Sequence, residues 1–81
     1  MNLTLEMGQI RNDALLKAIG IAFKVLREEK VLTQEEVYND TGVHIGRIET
    51  AQSNPTISTI HSLCMYYGIS LENFFERLNW D

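Results

Sequence analysis

Eighty-one residues, 44% hydrophobic and 22% charged, with seven Lys and Arg against eleven Asp and Glu, make one small globular domain of formal net charge −4. The single cysteine, Cys64, excludes an intrachain disulfide and implies no oxidising compartment. Lys17, Lys24 and Arg27 interrupt the apolar stretches, which excludes a membrane span; Met1 to Glu6 lacks the basic start and apolar run of a signal peptide, so a cytoplasmic location is expected.

At the start of the chain Leu3, Leu5 and Met7 alternate with Asn2, Thr4 and Glu6, the period of two that suits a strand. No second strand pattern follows. Residues 1–11 therefore read as an arm, either a frayed terminus or a strand that pairs with the same segment of another chain. Asn12 is placed to cap a first helix running to about Glu29, with Asp13 favourable in its first turn. Leu16, Ile19, Phe23 and Leu26 fall on one stripe of that helix, toward a core.

Thr33 followed by Glu36 has the spacing of a capping box, so a second helix starts at Gln34 and ends near Asn39 and Asp40. Thr41 is expected to cap a third helix through about Ala51, with Ile45 and Ile48 facing inward. Gln52 to Pro55 is a loop. Thr56 caps a fourth helix that ends at Gly68, a residue suited to a left-handed position, and Ser70 caps a fifth carrying Leu71, Phe74, Phe75 and Leu78. Five helices with short loops over residues 12–81 make an all-α bundle.

The third helix carries the chemistry. Arg47 is its single cation, on a different face from Ile45 and Ile48, and reads two ways: a solvated surface arginine, or the side chain best shaped to take guanine O6 and N7 as a bidentate pair. Gly46 beside it reads two ways: close approach of the backbone to DNA, or tight packing on a neighbouring helix. His61 and Cys64 share a helix face, but two ligands fall short of the three or four a zinc site needs. There is no Gly-rich phosphate loop, nucleophile elbow or evident carboxylate pair, so no catalysis, metal or cofactor is expected. The acidity argues against a nucleic-acid binder, whose surface is usually basic.

The run from Leu26 to Phe75 weighs on the other side. It holds Leu26-Arg27-Glu28-Glu29-Lys30-Val31-Leu32-Thr33-Gln34-Glu35-Glu36, then Ile45-Gly46-Arg47-Ile48-Glu49, then Asn54-Pro55-Thr56-Ile57-Ser58-Thr59-Ile60 and Tyr67-Gly68-Ile69-Ser70-Leu71. In that order and spacing it resembles the Cro/CI-type (XRE-like, lambda-repressor-like) helix-turn-helix family of DNA-binding regulators. The resemblance implies a five-helix lambda-repressor-like bundle that reads double-stranded DNA, as a repressor and homodimer on a pseudo-palindromic operator. It puts Gln34, Thr41, Gly42, Val43, His44, Arg47, Thr50, Gln52, Ser53 and Asn54 at the DNA. It also pairs Arg27 with Glu49 as a structural salt bridge.

Three departures from the family matter. Val31 stands where a glycine is usual between the first two helices. The interval from Thr33 to Arg47 is about three residues short, close to one helical turn. Placing that loss before Thr41 keeps Thr41 as the cap; placing it after Gly42 starts the third helix near His44. Lysine is scarce in the region, which implies a modest salt dependence. The rival reading is an antitoxin or anti-repressor that holds a toxin or other small protein. Self-association is suggested by Leu15, Ala18, Ile21, Ala22 and Val25, a second apolar side of the first helix. Ile21 and Val25, with Leu3, Leu5, Met7 and Trp80, are the expected dimer contacts.

Overall fold

A computed structural model of the chain describes residues 10–79. Five helices follow in order among the described residues: α1 (Asp13–Glu29), α2 (Gln34–Thr41), α3 (Ile45–Glu49), α4 (Ile57–Tyr67) and α5 (Leu71–Glu76). The described residues contain no strand, so the fold is an all-α helix-turn-helix bundle. Leu3, Leu5, Met7 and Trp80 lie outside the described residues, and with them the alternating N-terminal segment.

Four of the helices begin on a polar side chain that takes an otherwise orphan amide. Asn12 accepts from the Leu15 amide at 3.0 Å, Thr56 from Thr59 at 3.1 Å and Ser70 from Asn73 at 3.0 Å. Thr33 and Glu36 form the full reciprocal box, at 3.0 and 2.9 Å. The stripe Leu16, Ile19, Phe23 and Leu26 is buried, and Phe23 is fully enclosed, stacked on Phe74 at 4.4 Å and tilted against Tyr67 at 6.0 Å. Tyr66 donates to the Asp40 carboxylate at 2.6 Å, tying α4 to α2; that bond pushes its phenol up to about 12. Cys64 is buried, which raises its thiol pKa, while His61 is exposed, so the two do not face a common site. No cluster able to hold a metal ion occurs among the described residues.

The third helix differs from expectation. Thr41 ends α2 instead of capping α3: its hydroxyl donates to the Val37 carbonyl at 2.7 Å and accepts from the Val43 amide at 3.0 Å. Gly42, left-handed at φ 75°, closes α2 with its amide on the Tyr38 carbonyl. His44 then precedes α3, which holds only the five residues Ile45–Glu49 and stops short of Ala51. The missing turn has therefore been taken from the start of the third helix, after Gly42, and not before Thr41.

Val31 turns the corner between α1 and α2 at φ 56°, where glycine is strain-free and a β-branched residue is not. Its side chain is 86% exposed, so replacing it forfeits little burial. A left-handed non-glycine residue costs roughly 1–2 kcal/mol, and the extra unfolded-state freedom of glycine returns about 0.5–1 kcal/mol of that. Val31→Gly is expected to stabilise the domain by about 1 kcal/mol, raising the melting temperature by about 4–8 °C. A lowered melting temperature would mean that the valine side chain covers apolar surface.

Candidate nucleic-acid interface

α2, His44 and α3 line a shallow surface groove of about 440 Å³. The short α3 is oriented by its two isoleucines, Ile45 and Ile48, which are 1% and 4% exposed. With that face held inward, His44, Arg47 and Thr50 stand on the solvent side. Arg47 lines the groove and makes no salt bridge or side-chain hydrogen bond among the described residues. The other charge on α3, Glu49, is withdrawn from this face.

Glu49 is held by three donors. Arg27 reaches it with two nitrogens, Nε to Oε2 at 2.6 Å and Nη2 to Oε1 at 3.0 Å, and Gln34 Nε2 donates to Oε1 at 3.0 Å. The remaining Arg27 nitrogen, Nη1, donates to the Leu32 carbonyl at 2.8 Å. The hydrogen bond to Glu49 raises the Arg27 pKa against the opposing cost of burial, so the guanidinium stays charged. One side chain of α1 and one of α2 thus converge on the last residue of α3.

Gly46 has its place in this arrangement. A methyl group on it would come within 3.0 Å of Gln34 Oε1, so the glycine leaves room for Gln34 to lie over α3 and reach Glu49. What it packs against is that side chain, not the backbone of a neighbouring helix.

The other sequence-derived candidates divide by what already occupies them. Gln34, His44, Thr50 and Gln52 line the groove with Arg47. Thr41 is engaged with Val37 and Val43, Gly42 is a helix cap, and Val43 is partly buried against the core, so these three build the turn. The Thr50 hydroxyl donates back to the Gly46 carbonyl at 2.8 Å. The Gln52 and Ser53 amides both bond the Arg47 carbonyl, at 2.8 and 3.2 Å, and end the helix. Asn54 Nδ2 donates to the Ile10 carbonyl at 3.1 Å, and Arg11 Nη2 to the Ala51 carbonyl at 3.0 Å. These two bonds hold the segment before α1 against the loop after α3.

Sequence reasoning passed over Tyr38, Glu35 and Arg11. Tyr38 was within reach: it follows Gln34 by four residues, one turn along the same face of α2, and its ring stacks on His44 at 4.4 Å. Arg11 gave no local signal, because its acceptor lies 40 residues away.

A helix-turn-helix family model matches residues 23–74, from the middle of α1 into α5 and across the whole groove. The chain is also 39% identical over 57 residues to y4dJ, an uncharacterised HTH-type transcriptional regulator of Sinorhizobium fredii; the alignment covers 67% of this chain and 74% of that protein. The chain belongs to the XRE-like helix-turn-helix family, a class of DNA-binding regulators. No solved structure shows a significant match. No helix among the described residues is long and apolar enough to cross a membrane.

Proposed function

We propose that this chain is a sequence-specific double-stranded DNA-binding transcriptional repressor, acting in the cytoplasm as a homodimer. The 12–81 domain binds DNA. α3 enters the major groove while α2 crosses the backbone, the docking typical of a helix-turn-helix. The observation that carries this reading is the charge arrangement on α3: Arg47 is exposed and unpaired among the described residues, while the Glu49 side chain is 3% exposed and neutralised by Arg27. An acidic chain thereby offers a cation at the centre of its contact face. Gln34, His44, Thr50 and Gln52 line the groove with Arg47, and in this reading Gly42, Ser53 and Asn54 supply backbone contacts beside it.

Dimerisation has its own support. A helix of five residues reaches only a few base pairs, so two copies across a pseudo-palindrome supply the rest. Ile21 and Val25 are 63% and 41% exposed on α1, over an apolar groove of about 450 Å³ that Ala18 and Ala22 help to form. Asn79 lines the same groove, and Trp80 follows it in the chain.

Arg47→Ala is expected to weaken binding by about 1–3 kcal/mol and to relax preference at one base pair per half-site. Competition binding against single-base variants of an operator obtained by in-vitro selection measures this. Equal weakening on every sequence would make Arg47 a phosphate contact, and an unchanged profile would remove it from the interface.

A second reading, an antitoxin or anti-repressor that holds a toxin or other small protein, is favoured by Glu35 on the groove wall and by the net charge of −4. A gel shift on the DNA upstream of the chain's own gene separates the two, since a dedicated protein-binding module gives no sequence-selective shift.

A further inference from the structure

Tyr38 and His44 face each other across the α2–α3 groove, rings 4.4 Å apart and inclined at 23°. Tyr38 is 44% exposed, and His44, at the N-cap of α3, makes no capping bond with its side chain. Hydrogen bonds of the surrounding groups run elsewhere. Gln34 goes to Glu49, Thr41 bonds Val37 and Val43, Thr50 returns to Gly46, and Asp40 takes the Tyr66 hydroxyl. The Tyr38 hydroxyl and the His44 nitrogens are left without partners among the described residues, on the same groove as Arg47.

We propose that Tyr38 and His44 act as one stacked phosphate-contacting unit, in which His44 takes up a proton as the DNA backbone enters the groove. The inference rests on the DNA-binding reading and adds residues and a proton linkage to it. Tyr38 has two functions: its ring holds the imidazole in one orientation, and its hydroxyl donates to a phosphate oxygen. A protonated imidazole over a phenol face gains a cation–π attraction, so stacking favours the charged form. The charged and titratable groups around the ring are Glu35 and Tyr38 on α2 and Arg47 on α3. Glu35 brings a negative charge and Arg47 a positive one, and Glu49 is occupied by Arg27 and Gln34. An arriving phosphate adds negative charge and tips this balance toward protonation. The shortened α3 gives the arrangement its purpose, since it brings one arginine and no lysine to the groove.

The test measures affinity between pH 5.5 and 8.5, at fixed ionic strength, for an in-vitro-selected duplex and a random-sequence duplex. Wild-type binding should tighten as pH falls across this range, approaching about tenfold per pH unit for each His44 that takes up a proton, and about a hundredfold for a dimer with both engaged. Because a phosphate is present in every sequence, both duplexes should show the same slope. His44→Gln should abolish the slope, His61→Gln should leave it, and Tyr38→Leu should flatten it and weaken binding several-fold. The His44→Gln, Tyr38→Leu double variant should bind no worse than the weaker single variant. Following the His44 imidazole signal by NMR in the free and bound wild type needs no substitution, and its pKa should rise on binding. Binding that is flat with pH, a slope that survives His44→Gln, or a slope confined to the selected duplex would overturn the unit. Failure of the wild type to bind either duplex at any pH would overturn the DNA-binding reading, and this inference with it.

Discussion

Glu49→Ala is expected to destabilise the domain by about 3–5 kcal/mol, the usual consequence of removing one partner from a buried ion pair. The Glu49 side chain is 3% exposed and that of Arg27 13%. Removing the carboxylate leaves Arg27 Nε and Nη2 and Gln34 Nε2 without their acceptor, three donors at once. A domain of this size has about 5–15 kcal/mol in total, so the loss takes a large fraction of it. In urea the midpoint should fall sharply while the slope stays near its wild-type value. Replacing both partners with apolar residues, Arg27→Met with Glu49→Leu, should be far milder, because no unpaired charge remains. An unchanged urea midpoint for Glu49→Ala would show that apolar packing alone holds α3 to the bundle.

How much of this was legible in the residues depends on the range over which each interaction acts. Asn12, Thr33, Thr56 and Ser70 each bond an amide three residues away, so a short window of sequence contains both partners. The core stripe of α1 and the inward pair Ile45 and Ile48 follow from helical periodicity, and the exposure of Arg47 follows from theirs. Thr41 marks where local reasoning runs out. A threonine hydroxyl either caps the helix ahead or bonds back to the carbonyl four residues behind, and both outcomes were compatible with the residues around it. The structure shows the second, at 2.7 Å to Val37, with α3 beginning only at Ile45.

The contacts hidden from sequence join distant segments. Tyr66 with Asp40, Arg11 with Ala51 and Asn54 with Ile10 span 26, 40 and 44 residues. None carries a spacing rule. They nonetheless fix how the helix-turn-helix is presented, since two of them brace the loop immediately after α3.

Gly20→Ala carries the second large expectation, on stability and on binding together. Nothing around Gly20 in the sequence marks it: it sits within α1 among Ile19, Ile21 and Ala22, where glycine costs about 1 kcal/mol against alanine. Yet a methyl group there would lie 2.5 Å from the Ile48 carbonyl oxygen and 2.6 Å from that of Glu49. Both obstacles are backbone at the C-terminal end of α3, so no rotamer change relieves them. The helices must separate instead. Overpacking a core costs about 1–3 kcal/mol where side chains yield, and a rigid backbone puts Gly20→Ala at or above the upper end, about 3 kcal/mol, despite the gain in helix propensity. The displacement acts along the line joining α1 to α3, so it also strains the Arg27–Glu49 bond at 2.6 Å and moves Arg47 relative to α2. Urea denaturation should show the lower midpoint. Operator affinity, measured where the variant is still fully folded, should fall more than tenfold, and Gly20→Val should be worse in both respects. A Gly20→Ala protein as stable as the wild type would mean that α1 and α3 have room to part at little cost, and that the glycine is not what sets the position of the recognition helix.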